Sequence, residues 1–208
     1  MLEYGKNRFW FKFYSALDVL TYPAFLGLAG ILGVPRRPRL PFIGMEEKPI
    51  HNVCFAVTLL RNEDRRFFFH KGIDYISIIM ELVRKAYLRR RLKGRSTITQ
   101  QLAKNLFIKN PQSRTLFRKV REAVYAVMLE KHYSKFEIFE SYLQNIPLGY
   151  HRGVYSFSRS YFQKEFSELS DYQAGKLVAL LNGPNVFLKD ERRWENRTRV
   201  MLGSLEAV

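Results

Sequence analysis

Apolar residues along this chain recur every three or four positions far more often than every second one, a spacing that marks helices rather than strands. Helices are predicted at roughly 51–62, 74–90, 96–109, 113–132, 134–146, 153–163 and 170–182. In the second, Ile76, Ile79, Met80, Val83 and Tyr87 follow the i, i+3, i+4, i+7, i+11 spacing of one apolar face. In the third, Ile98, Leu102 and Leu106 point inward, while Thr97, Gln100, Gln101 and Lys104 share the opposite face. Ser96 is the expected cap of that helix. In the fourth, Leu116, Val120, Ala123 and Val127 make the expected buried stripe, which puts Arg118 and Glu122 on another face with Lys119 beside them. Ser170 with Gln173 forms a capping box for the last predicted helix. Strand alternation is scarce, so all-β and doubly wound folds are excluded in favour of a mainly α fold.

The pattern changes near the N-terminus. Residues 13–35, "FYSALDVLTYPAFLGLAGILGVP", are apolar enough to meet a membrane, but Asp18 interrupts them and Pro23 is expected to kink a helix. The uncharged run from Val19 to Val34 falls short of the ~20 residues that cross a hydrocarbon core. Spanning and lying in the interface are both open readings. Arg and Lys flank both sides, so charge assigns no orientation. "PRRPRLPFIGMEEKP" follows and reads as an extended linker.

Composition adds a class of partner. With 35 Lys and Arg against 19 Asp and Glu, the net charge is +16 and the pI about 10.1. That balance suits nucleic acid, anionic lipid or a phosphorylated substrate. The basic stretch "RKAYLRRRLKGR" is not interleaved with stacking aromatics, so no nucleic-acid partner is expected. Cys54 lies among apolar neighbours and reads as a small buried hydrophobe. The four histidines show no metal-ligand spacing, so no protein-built metal site is expected.

Three polar clusters remain as candidate chemistry. In "EDRRFFFHKG", Glu63 stands beside aromatic residues, and a carboxylate that loses hydration there is suited to take a proton. The alternative is a solvated loop with Glu63 paired to Arg65 or Arg66. In "GRSTITQQLAKN", the helix N-terminus can receive an anion and Lys104 adds a cation along the same face. In "RKVREAVYAVMLE", Glu122 with Arg118 and Lys119 reads by itself as a helix-surface ion pair.

Taken in order, "EDRRFFFHKG", "GRSTITQQLAKN", "RKVREA" with "SKFEIFESYLQNIPLG", "GVYSFSRSYFQK" and "LVALLNGPN" closely resemble the successive motifs of the peptidoglycan glycosyltransferases, glycosyltransferase family 51. With no transpeptidase segment following, the chain looks like the monofunctional biosynthetic transglycosylase type. The resemblance implies a mainly α, lysozyme-like, two-lobed glycosyltransferase domain over residues 50–208. Ahead of it come a tail and membrane anchor over 1–35 and a Pro/Arg-rich linker over 36–49. It implies polymerisation of lipid II by inverting transfer from an undecaprenyl-pyrophosphate-linked glycan, in cell-wall synthesis on the external side of a bacterial plasma membrane. Glu63 matches the general base, and Glu122 the second essential carboxylate near the donor pyrophosphate. Asp64, Phe67 and His70 match residues that shape the site. Ser96, Thr97, Gln101, Lys104, Arg118 and Lys119 match the set that holds saccharide and pyrophosphate, and Gln100 shares their helix face. No cofactor is required, with a divalent magnesium or manganese ion as an option, and other cell-wall synthesis proteins are conceivable partners.

Several positions depart from the family pattern: Arg95 and Gln163 stand where it has glycine, Gln144 where it has Asn, Ser156 and Phe157 where it has small residues, and Gln173 where it has Glu. They keep open two alternatives, a lipid II-binding scaffold without turnover and an enzyme acting on a related lipid-linked glycan. A lytic enzyme on finished glycan is a further one.

Overall fold

The computed structural model describes residues 2–41, 52–88, 96–109 and 115–206. Arg95 and residues 89–94 of the basic stretch lie outside the described residues. The described chain is mainly helical, and it divides into two compact units, residues 1–40 with 66–139 and residues 41–65 with 140–208.

The first unit is built on α1 (Leu2–Ile31), α3 (Tyr75–Leu88), α4 (Ile98–Phe107) and α5 (Leu116–His132). α1 continues through Pro23 and packs on α5. Its stretch Lys12–Ile31 is long and apolar enough to cross a membrane. One stripe of α1 is nonetheless polar and docked: Tyr14, fully buried, donates to Asp74 Oδ1 at 2.5 Å, Thr21 bonds the Tyr75 hydroxyl at 3.1 Å, and Lys131 lies over the Tyr22 ring. The Pro-rich segment that follows is non-helical over 34–41 and tied to the end of α5. The Tyr133 hydroxyl donates to the Pro38 carbonyl and accepts from the Leu40 amide, both at 3.2 Å.

Two expectations about faces are corrected here. On α5 the buried residues are Glu122 and Val124 to Glu130, whereas Leu116 is exposed, so the stripe Leu116–Val120–Ala123–Val127 is not the packed one. On α3 the apolar face holding Ile79, Met80, Val83 and Tyr87 is about half exposed or more. Periodicity reports which residues share a face, not what covers it.

The second unit contains α2 (Val53–Glu63), the end of α6 (Lys135–Asn145), a hairpin of two short antiparallel strands, β1 (Pro147–Leu148) and β2 (His151–Arg152), then α7 (Val154–Phe157), α8 (Asp171–Leu181), α9 (Pro184–Phe187) and α10 (Glu191–Glu206). α8 packs on α2 and α10. α10 was not expected from the sequence, because its buried residues Trp194, Thr198 and Met201 are set among many charged ones. The Trp194 indole donates to the Lys176 carbonyl at 2.6 Å and anchors α10 on α8. The capping box of Ser170 and Gln173 forms as predicted. Cys54 is half-buried rather than buried, with its thiol toward the Asp171 carbonyl.

α7 runs into a wider π turn over Ser158–Phe162 and ends at Gln163, which is left-handed at φ 56° and ψ 35°. This is the position where the family pattern has glycine, and Gln163 takes the left-handed conformation that glycine adopts most readily. Its amide side chain donates to the Ser160 carbonyl at 2.8 Å, which offsets part of the strain. Gln163→Gly is therefore expected to stabilise the protein by about 0.5–1 kcal/mol in chemical denaturation. Gly72→Ala should cost about 2–4 kcal/mol in the same measurement. Gly72 has φ 90°, and a Cβ there would stand 2.8 Å from the Ala126 backbone of α5.

Candidate active site

Glu63 is the last residue of α2, and its position follows from the register of that helix. Asn52 caps the start, accepting from the Phe55 amide at 2.8 Å and donating to the Leu169 carbonyl at 3.0 Å. Phe55 and Leu59 are fully buried, Phe55 edge-on against Phe166. Glu63 falls four residues after Leu59 on this inward face, half-buried rather than solvated. Asp64 closes the helix, buried, with its amide donating to the Leu60 carbonyl at 2.9 Å. Arg65 donates to the Arg61 carbonyl, and Arg66 donates to Asp74 and Ser77. Beneath the two carboxylates lies Tyr142, fully buried. Burial first, and then the charges of Glu63 and Asp64, push its hydroxyl well above the ordinary tyrosine range.

In the first unit α4 and α5 pack together and bring five of the predicted residues into one polar cluster. Glu122 is 1% exposed and paired with both Arg118 and Lys119, the latter at 2.9 Å. The Lys119 ammonium also donates to Ser96 Oγ at 2.8 Å, and the Gln101 amide reaches the Ser96 carbonyl at 3.4 Å. Glu122 is thus a buried anion between two cations, not the surface ion pair its spacing suggests. A carboxylate is stable there only because both partners compensate its lost hydration. Lys104 stands on α4 with Gln101, half-buried.

The expected cap of α4 is also corrected. Thr97, not Ser96, is the N-cap: its hydroxyl accepts from the Gln100 amide at 3.1 Å, and Gln100 Oε1 accepts from the Thr97 amide at 3.0 Å. The Thr97 hydroxyl donates to the Gly72 carbonyl at 2.7 Å. Thr97 and Gln100 are therefore engaged in building the helix start, and the Ser96 hydroxyl is left to meet Lys119. Phe67 and His70 are both buried, their rings 6.3 Å apart and nearly perpendicular, with His70 also edge-on to Tyr14.

Sequence reading overlooked three polar residues of this unit: Thr99, Glu130 and Lys135. Their residue types carry no motif, and Glu130 looks like any solvated helix residue. The usable signal lies in Lys135 opening a helix directly behind the Ser134–Glu137 cap. The donor set does not fit a protein-built metal centre. Among the described residues no group of three His, Cys, Asp or Glu side chains could hold an ion, and Glu122 is already bonded to two cations.

Taken each by itself, the second unit carries a half-buried glutamate at the end of one helix, and the first carries a buried carboxylate set between two cations, a polar cluster suited to an anionic ligand. Residues 45–206 match the model of the transglycosylase family. The chain is 37% identical over 191 residues to penicillin-binding protein 1A of Aquifex aeolicus, covering 89% of this chain and 25% of that protein. It is 37% identical over 135 residues to penicillin-binding protein 1B of Haemophilus influenzae, covering 62% of this chain and 17% of that one. To the biosynthetic peptidoglycan transglycosylase of Acinetobacter baumannii it is 35% identical over 151 residues, 71% of this chain and 66% of the relative. The chain spans a quarter or less of the two penicillin-binding proteins. It belongs to the transglycosylase family, the peptidoglycan glycosyltransferases of family 51, and with it to the lysozyme-like, mainly α class.

The raised tyrosines give a pH test. Like Tyr142, Tyr155 is pushed upward, by burial first and then by Glu140, to both of whose oxygens its hydroxyl donates at 2.8 Å. A tyrosine raised in the fold stays protonated where the unfolded chain has begun to ionise, so it contributes stability below about pH 10 that is lost as pH rises beyond it. Tyr142→Phe and Tyr155→Phe should each make the alkaline fall in stability above pH 10 shallower by up to about 1.4 kcal/mol per pH unit, measured by urea unfolding.

Proposed function

We propose that the protein polymerises lipid II, transferring a growing glycan from undecaprenyl pyrophosphate to the 4-hydroxyl of the incoming N-acetylglucosamine in cell-wall synthesis. The observation that carries this reading is the buried Glu122 set between Arg118 and Lys119, with Ser96 on Lys119, in a chain of the transglycosylase family. A group of fixed cations around one anion suits a departing diphosphate better than a neutral glycan, which favours synthesis over lysis.

Glu63 serves as general base, taking the proton of the acceptor hydroxyl as its oxygen attacks the donor's anomeric carbon with inversion. Its half-buried place at the end of α2, beside buried Asp64, limits hydration that would weaken it as a base. Arg118, Lys119 and Lys104 stabilise the charge that grows on the leaving pyrophosphate, and Glu122 keeps Arg118 and Lys119 aligned. Ser96 and Gln101 bind saccharide or phosphate oxygens. Thr97 and Gln100 act by shaping the α4 terminus, and Phe67 and His70 by walling the site. A divalent ion would be held through the substrate's diphosphate and would add to the stabilisation of its charge.

Lys12–Ile31 anchors the protein in the plasma membrane, with the remaining chain on the external side, and the +16 charge favours contact with anionic lipid. Lipid II and its polymer are the substrate partners.

The test is incubation of the full-length protein with fluorescent lipid II. Polymer digestible by lysozyme is expected from the parent, and Glu63→Gln should lower its rate by about 10²–10⁴-fold with unchanged thermal unfolding. Polymer at the parental rate from that variant overturns the role of Glu63. Fragments released from purified sacculi would point to lysis instead.

A further inference from the structure

Beneath the proposed site of the first unit lies a second buried ion pair that the transfer mechanism does not use. Glu130 of α5 accepts at one oxygen, Oε1, from both the Lys135 ammonium and the Thr99 hydroxyl, each at 2.6 Å. The Glu130 side chain is 2% exposed, that of Lys135 12%, and Thr99 is fully buried. The same ammonium sits 4.3 Å from the centroid of the Phe67 ring, which is packed against Phe139 and His70. Four separate segments therefore converge on one charge: the Phe67 loop, α4, α5 and the start of α6. Asp18 of α1 lies within electrostatic reach of Glu130, Lys135 and His70.

A pair this deeply buried contributes little net stability, because desolvating two ions costs about as much as their attraction returns. Its directional content is another matter. The Thr99 bond fixes the rotation of α4, the helix that carries Gln101 and Lys104, and the cation over Phe67 fixes the ring that walls the proposed site.

We infer that Lys135 is a positioning residue: through Glu130 it holds α4, and through its ammonium it holds Phe67, so that the segments carrying the proposed substrate-binding residues keep one relative placement. The inference rests on the transglycosylation reading above for its consequence in turnover, but not for its structural content. In chemical terms, Lys135 touches no reacting atom and leaves the proton and diphosphate steps to other residues.

The discriminating variant replaces the whole hub by apolar groups of similar size: Lys135→Met, Glu130→Leu and Thr99→Val together, in the full-length protein. The thermal midpoint is expected at or above the parental value, because no buried charge is left unpaired. Amide exchange at Phe69 and His70, whose amides donate to the Arg66 carbonyl, should quicken several-fold. The turnover number on lipid II should fall roughly 10- to 100-fold with KM changed less than twofold, as for displaced catalytic geometry. Thr99→Val alone removes a single hydroxyl and serves if the triple variant does not fold; it should quicken the same amides. Parental exchange at Phe69 and His70 in the folded variants overturns the inference. A parent that makes no polymer overturns the reading of function and leaves the exchange result to decide the role of Lys135.

Discussion

The Thr97 hydroxyl, donating to the Gly72 carbonyl, is the contact on which the first unit's site depends. Gly72 lies against the α5 backbone so closely that a Cβ would meet Ala126 at 2.8 Å, and its φ of 90° is one that other residues rarely take. One hydrogen bond therefore joins the end of the Phe67–His70 loop to the start of α4, while the bare glycine lets both rest on α5. Because Thr97 is also the N-cap, the same hydroxyl that ties α4 in place sets where that helix begins. Ser96 is left as the first residue outside the helix, where Lys119 reaches it.

α5 supplies the charge logic of this unit. It buries two carboxylates, Glu122 and Glu130, each matched by cations from nearby in sequence: Arg118 and Lys119 one turn earlier, and Lys135 just past its end. A buried carboxylate without such partners would be expelled or protonated, so the cations are as necessary to the fold as to any ligand. The two pairs differ in exposure. Lys119 remains about half exposed beside Glu122, open to an incoming anion, whereas the Lys135 side chain is 12% exposed, bonded to Glu130 and set over the Phe67 ring.

In the second unit the residues that depart from the family pattern are each held by local contacts. Gln163 keeps a glycine-like conformation with a side-chain hydrogen bond to Ser160. Phe157, in place of a small residue, is buried in an aromatic cluster, stacked on Tyr161 and edge-on to Trp194. Gln173 serves as the capping-box partner of Ser170, a task an amide performs as well as a carboxylate. Gln144 bonds Glu140, which also receives the Tyr155 hydroxyl.

The chain's local order was legible because helical period, Ser170 and Gln173 as caps, and the ordered motifs all depend on residues near one another in sequence. Seven helices, the polar clusters and the family were reached that way. What needed the tertiary structure was every question of what covers a face. Leu116 looks like core and is exposed, while Glu122 looks solvated and is buried, because the packing of α4 decides which side of α5 is inside. α10 escaped notice because its buried residues, chiefly Trp194 on α8, are set among many charged ones. The hub of Thr99, Glu130 and Lys135 escaped for the same reason: its members are ordinary residues far apart in the chain, and only folding makes them share one oxygen.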